Sequence, residues 1–188
     1  MRVIAGTYRS RILKSLKGLA LRPTSDRLRE TLFNILGPTV PGSRFLDLFA
    51  GTGAVGIEAL SRGAAEAVFI ENHAPAAALI RRNLESLGIR SGPQVLPVDA
   101  LRGLEKIAAK RKSGDPPFDF VFLDPPYAAA EEYSRVLQFL GGAAFLAPTA
   151  MVIAEHRHTT QLPESIGHLR RTRVLKQGDA ALTFFRTE

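Results

Sequence analysis

Residues 44–56 read RFLDLFAGTGAVG, a short apolar run followed by closely spaced glycines. The apolar part has the length of a buried strand, and the glycines permit the tight turn that joins a strand to a helix. Gly51, Gly53 and Gly56 match the GxGxxG pattern, in which a cofactor approaches the backbone at a helix N-terminus. This stretch therefore predicts the first strand, the cofactor loop and the following helix of an α/β domain.

Apolar runs alternate with helical patterns from residue 44 to residue 156, which indicates a parallel sheet covered by helices. The candidate strands are short and apolar, and most end at an acidic or small residue: Arg44–Ala50, Ala67–Glu71, Gln94–Asp99, Phe118–Asp124 and Ala150–His156. Helices are predicted between them, near 54–62, 74–87, 101–111 and 130–140. Two more strand-like runs, Leu169–Lys176 and Ala181–Arg186, predict an antiparallel hairpin. A mostly parallel seven-stranded sheet that ends in a hairpin is typical of the Rossmann-like class I methyltransferase fold.

The N-terminal part of the chain is strongly basic. Residues 1–30 carry eight Lys or Arg residues against two acidic ones, a net charge of +6, whereas the whole chain of 188 residues carries +7. Clustered cations displace the counterions around phosphates, so the pattern is typical of a surface that binds a polyanion, and the alternative is a solvated surface arm. A small extended or hairpin unit and an amphipathic helix at Asp26–Leu36 are predicted here. We therefore divide the chain into a basic N-terminal arm, residues 1–40, and an α/β domain, residues 41–188.

Three acidic residues accompany the ends of the first three predicted strands: Asp47, Glu71 and Asp99. Glu71 lies 20 residues beyond Gly51, as a dinucleotide site also requires, so NAD is an alternative cofactor. Asp47 favours S-adenosylmethionine, because a carboxylate before the glycines repels a pyrophosphate and attracts an ammonium group. Glu71 would then bind the ribose hydroxyls and Asp99 the adenine amino group. Each acid taken alone is also explained as a helix N-cap.

The fourth predicted strand ends in Asp124-Pro125-Pro126-Tyr127, at the edge where open α/β sheets bind ligands. An exocyclic base amine is a poor nucleophile because its lone pair is delocalised into the ring. The Asp124 carboxylate and the Pro125 carbonyl would accept its two N–H bonds and leave the lone pair directed outward. Tyr127 offers a ring on which an exposed base stacks. The tetrapeptide predicts methyl transfer to a base amine, and the alternative is an ordinary turn that ends a strand.

Composition argues against several other kinds of site. The chain has no cysteine, and its four histidines lack the spacing of a metal cluster, so we expect neither disulfides nor a bound metal. The N-terminus lacks the apolar core of a signal peptide, and no apolar run has membrane-spanning length. We expect a cytoplasmic monomer, and we interpret Glu155 and the sequence His156-Arg157-His158 as rim or surface groups.

These motifs resemble those of the ribosomal RNA small subunit methyltransferase D family over nearly the whole chain. The shared residues lie in the arm, the cofactor loop, the helices and the end of the fourth strand: Arg2–Gly6 with Arg9 and Arg11, Arg22–Thr24 with Arg27, Arg29, Glu30, Phe33 and Asn34, Asp47–Gly53, Glu58–Ala64, Asn83, Asp99–Ala100 and Asp124–Tyr127. The resemblance implies methylation of a guanine N2 in 16S ribosomal RNA, in a small-subunit particle.

The resemblance also implies a role for each group of site residues. S-adenosylmethionine would be bound by Asp47, Gly51, Gly53, Glu71 and Asp99. The target base would lie at Asp124, Pro125 and Tyr127. The arm would dock the ribosomal RNA through Arg9, Arg11, Arg22, Arg27 and Arg29.

Three other functions remain open on the sequence. A DNA amino-methyltransferase acting on adenine N6 or cytosine N4 would use the same site, although the chain shows no separate domain for reading duplex sequence. An NAD-dependent oxidoreductase would explain the glycines and Glu71 but not Asp124–Tyr127. A non-catalytic RNA-binding factor would keep the fold without the chemistry.

Overall fold

One sheet runs through the computed structural model, which describes residues 1–15, 24–126 and 130–188. Its strands, in chain order, are β1 Arg44–Leu48, β2 Glu66–Ile70, β3 Pro93–Leu96, β4 Phe118–Leu123, β5 Leu146–Arg157, β6 Ser165–Ile166, β7 Leu169–Gln177 and β8 Ala180–Thr187. The helices are α1 Asp26–Leu36, α2 Ala54–Ser61, α3 Ala74–Ser86, α4 Ala100–Lys110 and α5 Ala130–Leu140, with a 3₁₀ turn at Gly37–Thr39. In space the strands follow the order β3-β2-β1-β4-β5-β8-β7-β6.

Strands β1 to β5 pair in parallel, whereas β6, β7 and β8 pair antiparallel. The predicted parallel sheet with a C-terminal hairpin is therefore confirmed. The described chain has one strand more than the seven predicted, because the two-residue β6 adds a short partner to the start of β7. A strand of two residues is too short to leave an alternating pattern in the sequence.

The carboxyl ends of the central strands lie side by side. Leu48 at the end of β1 pairs with Ile70 of β2 on one side and with Leu123 of β4 on the other, and Leu123 pairs with Ala154 of β5. Neighbouring strands are about 4.8 Å apart. The residues that follow β1, β2 and β4 therefore meet at one edge of the sheet.

Helices cover both faces of the sheet because its strands are apolar on both faces. On one face, side chains of α1, α2 and α3 such as Leu32, Ile57 and Ile80 pack with Phe45 of β1. On the other face, α4 and α5 pack against alternate strand residues such as Leu46 of β1. The position of each helix thus follows from the alternation of side chains along the strands.

The basic arm shares the core of the larger domain. Arg2 and Ile12 form an antiparallel bridge, which makes residues 2–12 a small hairpin, as predicted. Val3 and Leu13 are buried in the same cluster as the apolar side of α1, including Leu28. Ser25 begins α1 by accepting a hydrogen bond from the Leu28 N–H at 3.1 Å. The boundary between arm and domain at residue 40 remains a prediction. The arm packs on the same face of the sheet as α2 and α3.

The third strand ends earlier than predicted, at Leu96 rather than at Asp99. Pro97 has no N–H to donate to the sheet, and the Val98 N–H donates to the Leu96 carbonyl at 3.0 Å.

No helix among the described residues has the length and apolar character needed to cross a membrane.

Candidate active site

The glycine loop after β1 holds a backbone that most residues avoid. Phe49, Gly51 and Gly53 have φ angles of 61°, 55° and 77°, and the Ala50 N–H is fixed to the Ile70 carbonyl of β2 at 3.1 Å. Gly56, in the first turn of α2, lies against Phe69, whose ring would be 2.3 Å from an added Cβ. The glycines therefore serve two purposes, because two of them shape the turn and Gly56 lets α2 approach the sheet.

Glu71 fixes this loop from the end of β2. One carboxylate oxygen accepts the Gly51 N–H at 2.7 Å, and the other accepts the His73 N–H at 2.8 Å. The residue is buried, with 7% of its surface exposed. Each carboxylate oxygen keeps a further lone pair, so Glu71 remains able to accept hydrogen bonds from a ligand.

Asp47 is the most perturbed acid at this edge. It is buried and accepts the Gly56 N–H at 2.9 Å through Oδ2. Burial raises the pKa of Asp47 to about 8, the hydrogen bond from Gly56 opposes this rise, and the negative charge of Glu71 adds to it. A cation placed beside Asp47 would reverse the effect and favour the carboxylate. The site is therefore suited to a positively charged ligand.

Asp99 lies apart from these two acids, where the chain enters α4. It is exposed, and its Oδ1 accepts the Arg102 N–H at 3.0 Å, which makes Asp99 the N-cap of the helix. The capping interpretation thus applies to Asp99. Its contact with adenine remains a prediction.

Asp124 and Pro125 follow directly after β4, between the ends of β1 and β5. Asp124 is half-buried and Pro125 is buried. Because Leu123 pairs with Leu48, the two residues lie next to the start of the glycine loop. The predicted acceptor pair and the predicted cofactor loop therefore occupy adjacent strand ends. Tyr127 lies outside the described residues.

Glu58 of α2 attaches the arm to the domain. Its fully buried carboxylate accepts the Ile4 N–H at 2.8 Å, the Ala5 N–H at 3.0 Å and the Arg62 Nε–H at 2.8 Å. Arg29 Nε lies 3.7 Å from the same carboxylate. A buried carboxylate with several donors holds two backbone groups of the arm in fixed positions.

The chain is similar to several proteins that are named as ribosomal RNA methyltransferases. A family model described as "Conserved hypothetical protein 95" matches residues 1–186. A Haemophilus influenzae protein named ribosomal RNA small subunit methyltransferase D is 39% identical over 158 residues, which are 82% of this chain and 78% of that protein. The chain belongs to this methyltransferase D family.

Two further relatives extend the match over the full length. A Bacillus subtilis protein, provisionally named as the rRNA methyltransferase YlbH, is 38% identical over 186 residues, covering 99% of this chain and 98% of that protein. A solved Escherichia coli structure, provisionally described as the methyltransferase yhhF, has 34% identity and a TM-score of 0.84, and the match covers 100% of this chain and 98% of that one. The class I methyltransferase fold is thereby confirmed.

The arm arginines of this family member divide into two groups. Arg9, Arg11 and Arg27 are exposed, and Arg11 Nη2 donates to the Ser86 carbonyl at 3.3 Å. Arg22 lies outside the described residues. The prediction that Arg29 contacts RNA is wrong for this fold, because the side chain is fully buried. Its Nη2 donates to the Arg2 carbonyl at 2.6 Å and to Asp26 Oδ1 at 3.1 Å. Arg29 therefore stabilises the arm by joining α1 to the N-terminal hairpin.

The interpretation of Glu155 and His156 as rim or surface groups is also wrong. Glu155 and His156 are buried, whereas Arg157 and His158 are exposed. The Thr24 hydroxyl donates to Glu155 Oε2 at 2.7 Å, a bond that joins the arm to β5 next to Asp124. A signal for Glu155 was present in the sequence, because it is another acid near a strand end, like Glu71.

Proposed function

We propose that the protein transfers a methyl group from S-adenosylmethionine to the exocyclic N2 amine of a guanine in 16S ribosomal RNA, within a small-subunit particle. One observation carries the proposal. Asp124 and Pro125 lie beside the glycine loop, at the ends of the adjacent parallel strands β4 and β1. The names of the relatives support ribosomal RNA of the small subunit as the substrate class.

The residues around the glycine loop fit S-adenosylmethionine. Asp47 would face the ammonium of its methionine part, whose charge compensates the burial of the carboxylate. The carboxylate of Glu71, already aligned by two backbone N–H groups, would accept hydrogen bonds from the ribose hydroxyls. Gly51 and Gly53 allow close approach of the backbone, and Asp99 would bind the adenine amino group. When bound, this cofactor supplies an electrophilic methyl group on a positively charged sulfur.

Asp124 and Pro125 would prepare the amine for attack. The Asp124 carboxylate accepts one N–H of the guanine amine and the Pro125 carbonyl accepts the other, while Tyr127 stacks on the base. The lone pair of the nitrogen would then be directed toward the methyl group that the cofactor supplies. The methylated amine loses its extra proton to solvent. Catalysis in this scheme depends on positioning and on the negative charge of Asp124.

The exposed side chains Arg9, Arg11 and Arg27, together with Arg22, would contact phosphates that flank the target guanine. Their surroundings support this role. The arm is bound to the domain through Glu58 and through the Thr24–Glu155 bond, and the second attachment lies beside Asp124. Phosphates held by the arm would therefore lie close to the amine-binding residues.

The test is methyl transfer with labelled S-adenosylmethionine and, separately, small-subunit particles, 16S ribosomal RNA and duplex DNA, followed by identification of the labelled nucleoside. We expect N2-methylguanosine from a ribosomal substrate. In Asp124→Ala, kcat should fall by about 100-fold or more, as found when one transition-state hydrogen bond is lost.

The matched control is Asp119→Ala, on the same strand. Asp119 accepts the Arg44 N–H at 2.8 Å near the opposite edge of the sheet, so this variant should keep the activity of the parent protein. Label in DNA alone would replace the proposal with a DNA amino-methyltransferase. Equal loss of activity in both variants would show that Asp124 has no special role.

A further inference from the structure

Asn83 of α3 connects the basic arm to the glycine loop. Its side chain is fully buried. Oδ1 accepts the Lys14 N–H at 2.9 Å, and Nδ2 donates to the Lys14 carbonyl at 3.2 Å. The same Nδ2 donates to the Thr52 carbonyl at 3.1 Å. One amide group therefore binds both the arm and the loop.

Thr52 is the central residue of the glycine loop, between Gly51 and Gly53. Glu71 holds the loop from the sheet side through the Gly51 N–H, and Asn83 holds it from the helix side through the Thr52 carbonyl. The arm reaches this residue a second time, because the Thr52 hydroxyl lies 3.6 Å from the Met1 sulfur. Asn83 and Met1 thus connect the arm to the loop at Thr52.

A displacement of Lys14 would affect the loop through these short contacts. The Asn83 amide is planar and buried; its Oδ1 binds Lys14 and its Nδ2 binds both Lys14 and Thr52, so it cannot follow one partner without straining its bond to the other. A buried polar group that loses its partner destabilises the fold. Asn83 therefore fixes the positions of Lys14 and Thr52 relative to each other.

We propose that Asn83 is a positioning residue that couples RNA binding at the arm to cofactor binding at the glycine loop. This inference rests on the proposed function. RNA that holds the arm in its docked position also holds Thr52 in place, which lowers the conformational freedom that the cofactor must remove when it binds. Coupling between two ligands is reciprocal, so the cofactor strengthens RNA binding by the same factor.

The experiment measures the Kd of labelled S-adenosylhomocysteine by equilibrium dialysis, with and without a saturating amount of unmethylated small-subunit particles. This ligand cannot donate a methyl group, so no turnover occurs. In the parent protein we expect the particles to tighten binding at least about fivefold, the lower end of typical coupling. In Asn83→Ala the ratio of the two Kd values should fall to within about twofold of one.

A second pair of variants keeps the test independent of the stability of a buried substitution. Lys14→Pro removes the N–H that Asn83 accepts, whereas Lys14→Ala removes the same charge and keeps the N–H. The Kd ratio should collapse in Lys14→Pro and persist in Lys14→Ala. Thr24→Val breaks a different side-chain bond of the arm, the one to Glu155, and should also keep the Kd ratio, because that bond does not reach Thr52.

A parent protein with equal Kd values in both conditions would overturn the inference, and so would a ratio that persists in Asn83→Ala and Lys14→Pro. Thermal unfolding of each variant shows whether a Kd ratio near one arises only because the variant is unfolded. Failure of the proposed function has a different signature, in which the parent protein binds no S-adenosylhomocysteine or no small-subunit particles at all.

Discussion

Asp47 makes the stability of the protein depend on pH. Burial raises its pKa in the folded protein to about 8, above the ordinary value of 3.8 that applies when the chain is unfolded. Between these two values the folded state binds more protons than the unfolded state. The free energy of unfolding therefore falls as the pH rises from about 4 to about 8, and the loss is complete above the folded pKa.

Asp47→Asn should remove this dependence. The amide oxygen still accepts the Gly56 N–H and carries no charge. We expect the Tm of the variant to match that of the parent near pH 4 and to exceed it by a margin that grows up to about pH 8. Thermal unfolding over this pH range measures the margin. Curves of Tm against pH that stay parallel for the two proteins would contradict the raised pKa of Asp47. We also expect the variant to bind S-adenosylmethionine more weakly than the parent protein does.

The arm shows why the roles of some residues could not be predicted from the sequence. Asp47, Glu71 and Asp124 were located correctly at one edge because strand ends can be found from an apolar pattern. The burial of Arg29 could not be found in this way. An arginine is buried only with partners, and its partners Glu58 and the Arg2 carbonyl meet it through tertiary packing. Charge counting alone assigns such an arginine to the surface.

The hairpin of the arm packs against the end of α2. Gly6 has a φ of 81°, and an added Cβ would lie 1.8 Å from the Ser61 carbonyl oxygen. The same carbonyl accepts the Thr7 N–H at 2.8 Å, and the Ser61 hydroxyl accepts the Tyr8 N–H at 3.0 Å. The turn thus needs a glycine both for its backbone angle and for its closeness to α2.

Gly6→Ala should release the hairpin from α2. We expect cleavage by trypsin at Arg9 and Arg11 to become faster, together with a lower Tm. The control is Gly42→Ala, which has a φ of 77° but no atom within 4 Å of the added Cβ. That variant carries only the backbone strain, about 1–2 kcal/mol. Equal Tm losses and unchanged cleavage in both variants would show that the contact with Ser61 does not hold the hairpin.

Element positions could be predicted well from the sequence, and element boundaries less well. All five helices lie where the periodic apolar pattern placed them, and α1 has the predicted bounds. The end of β3 was misplaced because the apolar pattern continues through Val98, although Pro97 has already left the sheet. The short β6 depends on its pairing with β7, which is a contact between segments and not a property of either one.

The charged residues are unevenly distributed along the chain, with a net charge of +6 in residues 1–30 and +7 in total. The exposed cations of the arm include Arg2, Arg9, Arg11, Lys14 and Arg27. This arrangement predicts that RNA affinity falls steeply with salt concentration, because each phosphate contact releases counterions. The arm, which includes α1, lies with α2 and α3 on one face of the sheet, whereas α4 covers the other face.

Arg9→Ala and Arg27→Ala should each reduce the slope of log affinity against log salt by about 0.7 to 0.9, the value for one lost phosphate contact. Lys110→Ala removes an exposed cation from the end of α4, and its slope should equal that of the parent protein. Filter binding of 16S ribosomal RNA at several salt concentrations measures the slopes. A reduced slope in Lys110→Ala would mean that RNA contacts the opposite face, and unchanged slopes for Arg9→Ala and Arg27→Ala would exclude the arm.

The attachment of the arm also determines when it can form during protein synthesis. The arm leaves the ribosome before its partners Glu58 and Asn83, and Glu155 follows Thr24 by 131 residues. Contacts between distant segments form only after the intervening chain is available. The arm of the nascent chain therefore lacks some of its contacts until β5 has emerged. Its basic surface takes its final shape only when the ends of β1, β4 and β5 are paired.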